Sequence, residues 1–286
     1  MAALIWSAAI ALVIALALAW PGWQLRRALA RPFDPAWLAI LHHNLPVYAN
    51  MAPELQAQLQ RLVKHFLHKK RFVGCEGQDI DDEVRVTIAA QACLLLLNRH
   101  SRVYPALHTV LVYPSAFLVP RQQVDAAGVV TETRQDLLGE SWGDGRVVLS
   151  WDHVLRGALN WTDGQNVVLH EFAHQLDSES GSNNGAPYLG NPSSYRDWSA
   201  VLSRDFANLR ADAMVRQHSV IDHYGATSPA EFFAVATETF FEKPYQMAEY
   251  HEALFGEFLK YYRVDPRAWL APPAPAGHAS GYGQWQ

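Results

Sequence analysis

The chain has 286 residues, half of them hydrophobic, and a formal net charge of −5. That length allows one large domain or two small ones with a sizeable core, and the acidic balance leaves no electrostatic footprint for nucleic acid. The two cysteines, Cys75 and Cys93, argue against a disulfide framework and offer no cysteine metal-ligand spacing; Cys93, in "AAQACLLLLN", reads as a free thiol packed as a small hydrophobe.

The first twenty residues, "MAALIWSAAIALVIALALAW", carry no charge. As a helix rising about 1.5 Å per residue they reach roughly 30 Å, the thickness of a bilayer's hydrocarbon core. Trp20 and Trp23 suit the interface, and Arg26, Arg27 and Arg31 follow as flanking positive charge. A cleaved signal peptide places its basic residues before a shorter apolar stretch, the reverse of this order. Residues 1–24 therefore read as a single-pass anchor in the cytoplasmic (inner) membrane, with the remainder in the cytoplasm by the positive-inside rule. A linker is expected over 25–37, where "RPFDPAW" lies, then a domain over 38–268 and a Pro/Gly/Ala-rich disordered tail over 269–286.

Beyond the linker, "MAPELQAQLQRLVKHFLHKKRF" places apolar residues on one helical face, with Glu54 near its start and Lys69, Lys70 and Arg71 at its end, as the helix dipole prefers. "DDEVRVTIAAQACLLLLN" predicts a mostly buried helix that opens on acidic capping residues. The period then changes. Residues 107–120 and 145–154 read as strands, and the stretch 121–142 between them as a hairpin or flap. Helices are expected over "YRDWSAVLSRDFANLR" and over 228–244, "SPAEFFAVATETFFEKP".

Between these lies "NVVLHEFAHQLDSESG". It predicts a largely buried helix whose start is marked by "TDGQ" (162–165), a capping-box pattern with Gln165 three residues after Thr162. His170 and His174, four apart, share a face and can converge on one ion. Glu171, about 100° round the helix, stands beside such an ion and can take a proton from a water. Without a metal, two histidines and a glutamate on a buried helix are an expensive arrangement. A catalytic zinc site takes three protein ligands and keeps one position open. The third ligand must come from elsewhere, because Asp177 and Ser180 occupy the positions where a Gly and a third His would continue the motif. Glu231 is the first candidate. Glu238, seven residues on, is either the alternative or an acceptor that orients a ligand imidazole. Tyr224 could donate to an oxyanion. Asp177 either accepts from a ligand imidazole or ends the helix, and His223 reads as a bystander.

"FVGCEGQDIDDEVRVTIAAQACLLL", "YPSAF", "GESWGDGRVVLSW", "NVVLHEFAHQLD" and "HYGATSPAEFFAVATETFF" together resemble the Mlc titration factor A family of zinc-dependent peptidases over roughly residues 35–265. The resemblance implies an α+β, mainly helical zincin-type fold with a small mixed sheet beside the active-site helix. It implies one Zn2+ held by His170, His174 and Glu231, with Glu171 as general base and Tyr224 as assisting phenol. The apolar N-terminus and the loop "NNGAP", where the family pattern is closer to "DG-x-P", depart from that family. The expected function is a membrane-anchored zinc metallopeptidase acting on a peptide or protein, with endo- and aminopeptidase action both open. The alternative is a regulatory binding module that retains zinc and sequesters a partner. "GRVVLSW" (145–151) is the strand expected to align substrate.

Overall fold

A computed structural model describes residues 1–99, 101–124, 130–137, 139–142 and 145–273. Helix α1 (Ala2–Ala30) is long and apolar enough to cross a membrane; an 18-residue window within Leu4–Ala30 has a mean hydropathy of 2.2, with no buried residue among those described. The chain turns at once into α2 (Pro35–Asn44), whose cap Asp34 accepts the Ala36 N–H at 2.8 Å. The stretch expected as a linker is thus mostly helical, with only residues 31–34 between the two helices. Asp-Pro makes this turn readily, since Asp caps and proline tolerates the first helical position.

Helix α3 (Pro53–Lys69) buries Leu59, Val63, Phe66 and Leu67, the face its periodicity predicts. It also holds the end of α1: Lys64 Nζ donates to the carbonyls of Leu29 (2.7 Å) and Arg31 (2.6 Å). Helix α4 (Asp82–Leu94), capped by Asp81, is buried along most of its length.

The sheet is small and mixed. Strands β1 (Arg71–Gly74), β2 (Thr109–Tyr113) and β6 (Arg146–Ser150) run parallel in that spatial order, and β5 (Gly139–Trp142) closes the edge antiparallel to β6. Strands β3 (Phe117–Val124) and β4 (Val130–Leu137) form a separate antiparallel pair that only overlaps the hairpin expected over 121–142: the strand expected over 107–120 is divided between β2 and β3, and 139–142 join the other sheet. The tip of the pair at 125–129 lies outside the described residues, as does most of the expected tail, 274–286. The strand expected over 145–154 ends at Ser150, and helix α5 (Trp151–Leu159) follows without a break.

Helix α6 (Val167–Ser178) runs through the centre of the domain, in contact with α4, α5, β5 and β6. Its Phe172 packs on Tyr104 and Phe66, with ring centroids 4.7 and 5.6 Å apart. Helix α7 (Pro192–Val215) and helix α8 (Pro229–Glu242) cover the other side. Helices α9 (Pro244–Tyr250) and α10 (Glu252–Tyr262) follow, beyond the last helix expected from periodicity. An aromatic cluster joins them: Trp198 stacks on Phe258 at 5.4 Å, and Phe233, Phe240, Phe241 and Tyr262 are fully buried around it. Burying each such ring is worth roughly 1.5–3 kcal/mol. The class is α+β, mainly helical.

Candidate functional site

Helix α6 does not begin with the expected capping box. Thr162 donates instead to Asn160 Oδ1, and the cap is Asn166, whose Oδ1 accepts the Leu169 N–H at 3.0 Å. Asn166 is completely buried and ties four elements together. Its Nδ2 lies 2.9 Å from Gln91 Oε1 on α4, 3.0 Å from the Gly157 carbonyl on α5 and 3.1 Å from Glu242 Oε1 on α8; its backbone N–H donates to Glu238 Oε2 at 2.5 Å. Neither Gln91 nor Glu242 was singled out by spacing. For Gln91 the available signal was a polar residue inside the apolar run "AAQACLLLL"; Glu242, the last residue of α8, offered none.

One and two turns into α6, the rings of His170 and His174 stand with their Nε2 atoms 3.2 Å apart. Glu231 comes from the first turn of α8, where Ser228 caps the helix and accepts the Glu231 N–H at 3.1 Å. Ser-x-x-Glu has the spacing of a capping box. The Glu231 carboxylate turns instead to the two imidazoles, with Oε2 3.0 Å from His170 Nε2 and 3.5 Å from His174 Nε2. Glu238, two turns along α8, reaches the other nitrogen of the same ring, its Oε1 2.7 Å from His170 Nδ1. Seven-residue spacing thus puts both glutamates on one face, on opposite sides of one imidazole.

Electrostatics favour a cation at this point. Burial alone would lower the His170 pKa, but the Glu238 and Glu231 carboxylates override it and hold it well above the usual imidazole range. Glu231 is held well below the usual carboxylate range by the two imidazoles, against the effect of its own burial. Glu171 is pushed up to about 7, chiefly by burial, with the imidazoles pulling the other way. Its Oε2 is buried with no hydrogen-bond partner among the described residues.

The donor set fits a metal ion. Two imidazole nitrogens and one carboxylate oxygen are zinc's usual mixture, and ligands about 2.0–2.1 Å from a tetrahedral ion stand roughly 3.3 Å from one another. The three separations found are 3.0, 3.2 and 3.5 Å.

The remaining candidates divide. Tyr224, on a one-turn 3-10 helix, has its ring 6.0 Å from that of His170 and is 52% exposed to solvent. Neighbouring His223 has a buried Nε2 without a partner among the described residues. Asp177 accepts the Gly185 N–H at 2.7 Å and so fastens the "NNGAP" loop to α6, while its other oxygen and His174 Nδ1 both lack a partner among the described residues. The strand "GRVVLSW" has no free edge, because β6 is paired on one side with β2 and on the other with β5. Among the described residues the edge strands of this sheet are β1 and β5.

A model of the glucose-regulated metallo-peptidase M90 family matches residues 20–263. The chain belongs to that family. Within reach of this M90 chain is an uncharacterized protein of Synechocystis, 42% identical over 249 residues that cover 86% of this chain and 90% of the relative. Two proteins named Mlc titration factor A are also similar. That of Escherichia fergusonii is 33% identical over 91% of this chain and 97% of its own, and that of Salmonella agona 34% identical over 86% and 91%. M90 membership makes this a metallopeptidase-type chain, and the His170–His174–Glu231 cluster is where its described residues could hold a metal ion.

Proposed function

We infer that this M90 chain is a zincin-type, zinc-dependent peptidase, anchored in the cytoplasmic membrane by residues 1–24 with its domain, residues 38–268, on the cytoplasmic side. The observation that carries the reading is the convergence of His170, His174 and Glu231, next to the buried Glu171 whose Oε2 has no hydrogen-bond partner among the described residues. Those three residues are the ligands. When bound, zinc supplies Lewis acidity toward a carbonyl oxygen and acidifies a water near neutral pH.

The chain's own groups do the rest. Glu171 takes the proton of the attacking water and delivers it to the leaving amine nitrogen. Glu238 holds the His170 ring in place through Nδ1. The Tyr224 hydroxyl donates to the carbonyl oxygen as it gains charge. The free edge of β5 offers backbone groups to an extended peptide. The anchor is supported by the length and apolarity of α1 and by the arginines that follow its apolar run.

A second reading rests on the relatives. The Escherichia and Salmonella proteins are named as titration factors of Mlc, and by likeness to them this chain would act by binding a regulatory protein. Metal content and peptide hydrolysis of the full chain in detergent, for wild type and Glu171→Gln in parallel, separate the two. One zinc per chain in both, with hydrolysis lost only in the variant, is the outcome the peptidase requires. Zinc in both without hydrolysis by wild type favours the binding module. No metal in either sinks both readings.

A further inference from the structure

We propose that the basic face of α3, beside the end of α1, docks on anionic phospholipid headgroups, so that the folded domain lies against the membrane. This rests on the reading of α1 as a membrane anchor. Charge is divided unevenly along the chain. Residues 1–75 carry eight Lys and Arg against two acids, a formal +6, while residues 76–286 carry −11. Such asymmetry points to a charged macromolecular surface, and the adjacent apolar helix selects a membrane.

Helix α3 gathers that charge on one side. At 3.6 residues per turn, Arg61, Lys64, His65, His68 and Lys69 fill an arc of about 140°, opposite the buried Leu59, Val63, Phe66 and Leu67. Arg71 follows where β1 begins, and no Asp or Glu occurs between Glu54 and Glu76. Arg61, His68, Lys69 and Arg71 are exposed. Arg61, Lys69 and Arg71 form no ion pair among the described residues. The imidazole among them feels the positive field: burial, then Lys69, Lys70 and His68, hold the His65 pKa below its usual value. Cations gathered without counter-charges repel one another, and an anionic surface relieves that repulsion.

The packing sets this face beside the bilayer. The last turns of α1 rest on α3, with Leu25, Ala28 and Leu29 half-buried. Lys64 Nζ fixes the junction through the Leu29 and Arg31 carbonyls. From Trp23, at the expected interface, to Leu29 is about 9 Å of helix, close to the Debye length of about 8 Å at physiological salt. The potential of an anionic leaflet therefore reaches α3, where each exposed Lys or Arg is worth about fivefold in affinity.

Reductive methylation of Lys69 tests the docked face. The full chain is reconstituted in nanodiscs of phosphatidylcholine alone, or of equal parts phosphatidylcholine and phosphatidylglycerol. Formaldehyde and dimethylamine–borane are uncharged, so the anionic lipid repels neither. Lys69 should react about fivefold more slowly in the anionic disc, or slower still. Lys260, 70% exposed on α10, should react equally in both. About 0.5 M NaCl should restore the Lys69 rate by screening the surface potential. Arg61→Gln combined with Arg71→Gln should restore it too, since two lost charges weaken docking roughly 25-fold. Equal Lys69 rates in the two discs, or protection kept in salt or in the double variant, overturns the docked face and leaves the anchor standing. A chain that enters neither disc sinks the anchor, and the docked face with it.

Discussion

Glu238 Oε1 lies 2.7 Å from Nδ1 of His170, while Nε2 of the same ring faces Glu231 across 3.0 Å. One nitrogen is held by a buried carboxylate so that the other points into the cluster. Glu238→Gln keeps an acceptor oxygen but loses the charge that makes the imidazole a good donor. Zinc affinity, followed by competition with a chelating indicator, should fall 10–100-fold. An unchanged affinity would mean that something else orients the ring.

The position of Glu171 near pH 7 carries a sign. Below its pKa the carboxyl is protonated and cannot accept a proton; a bound dication pulls that pKa below the metal-free value of about 7, so kcat/KM of the zinc-loaded chain should climb from acid pH and level off by neutrality. An acid limb absent from wild type would remove Glu171 from the role of base. The same shift affects stability. Between the ordinary 4.5 and about 7 the folded metal-free chain holds a proton that the unfolded chain has released. This group's contribution to stability is therefore present at low pH and lost as pH rises across that window.

Asn166→Ala removes the α6 cap and leaves Gln91 Oε1, the Gly157 carbonyl and Glu242 Oε1 without this donor. A cap is worth about 1 kcal/mol, and each buried group left unsatisfied adds roughly 1–3 kcal/mol. Denaturant unfolding should show a loss of about 4 kcal/mol or more; a loss under about 0.5 kcal/mol would show that water replaces the amide freely.

Gly185 has φ +77°, and a Cβ there would stand 2.4 Å from the Pro229 carbonyl oxygen, two residues before Glu231. Gly185→Ala should destabilise the fold by about 1–3 kcal/mol and also weaken zinc binding, because the start of α8 must move. Gly181, at φ +95° with open space around it, is the control. Gly181→Ala should show only the backbone strain, with zinc affinity unchanged.

Much of this site was legible beforehand because its signals are local. His170 and His174 meet because residues four apart share a helix face, and Glu231 and Glu238 came into view together because seven residues bring a helix back to nearly the same face. The cap was misread because "TDGQ" has capping-box spacing, whereas the residue that caps, Asn166, is chosen by its fit against Gly157: a Cβ on that glycine would come within 2.9 Å of the Asn166 side chain. "WDHV" reads as strand from its Trp and Val, but α5 begins at Trp151, where β6 ends. β6 was favoured as the substrate strand because nothing in its own residues shows that β5 covers its edge.

Residue order alone specified the motif helix, the polarity of its neighbours and the apolar segment at the N-terminus, because helical period and hydropathy are properties of a few consecutive residues. Which glutamate faces which nitrogen, what holds the cap of α6, and which strand keeps a free edge were decided only when α6, α8 and the sheet packed together. Those relations join groups more than sixty residues apart through 3 Å contacts, such as His170 with Glu231 and with Glu238. Contacts of that kind are set by how buried faces fit, which no local period encodes.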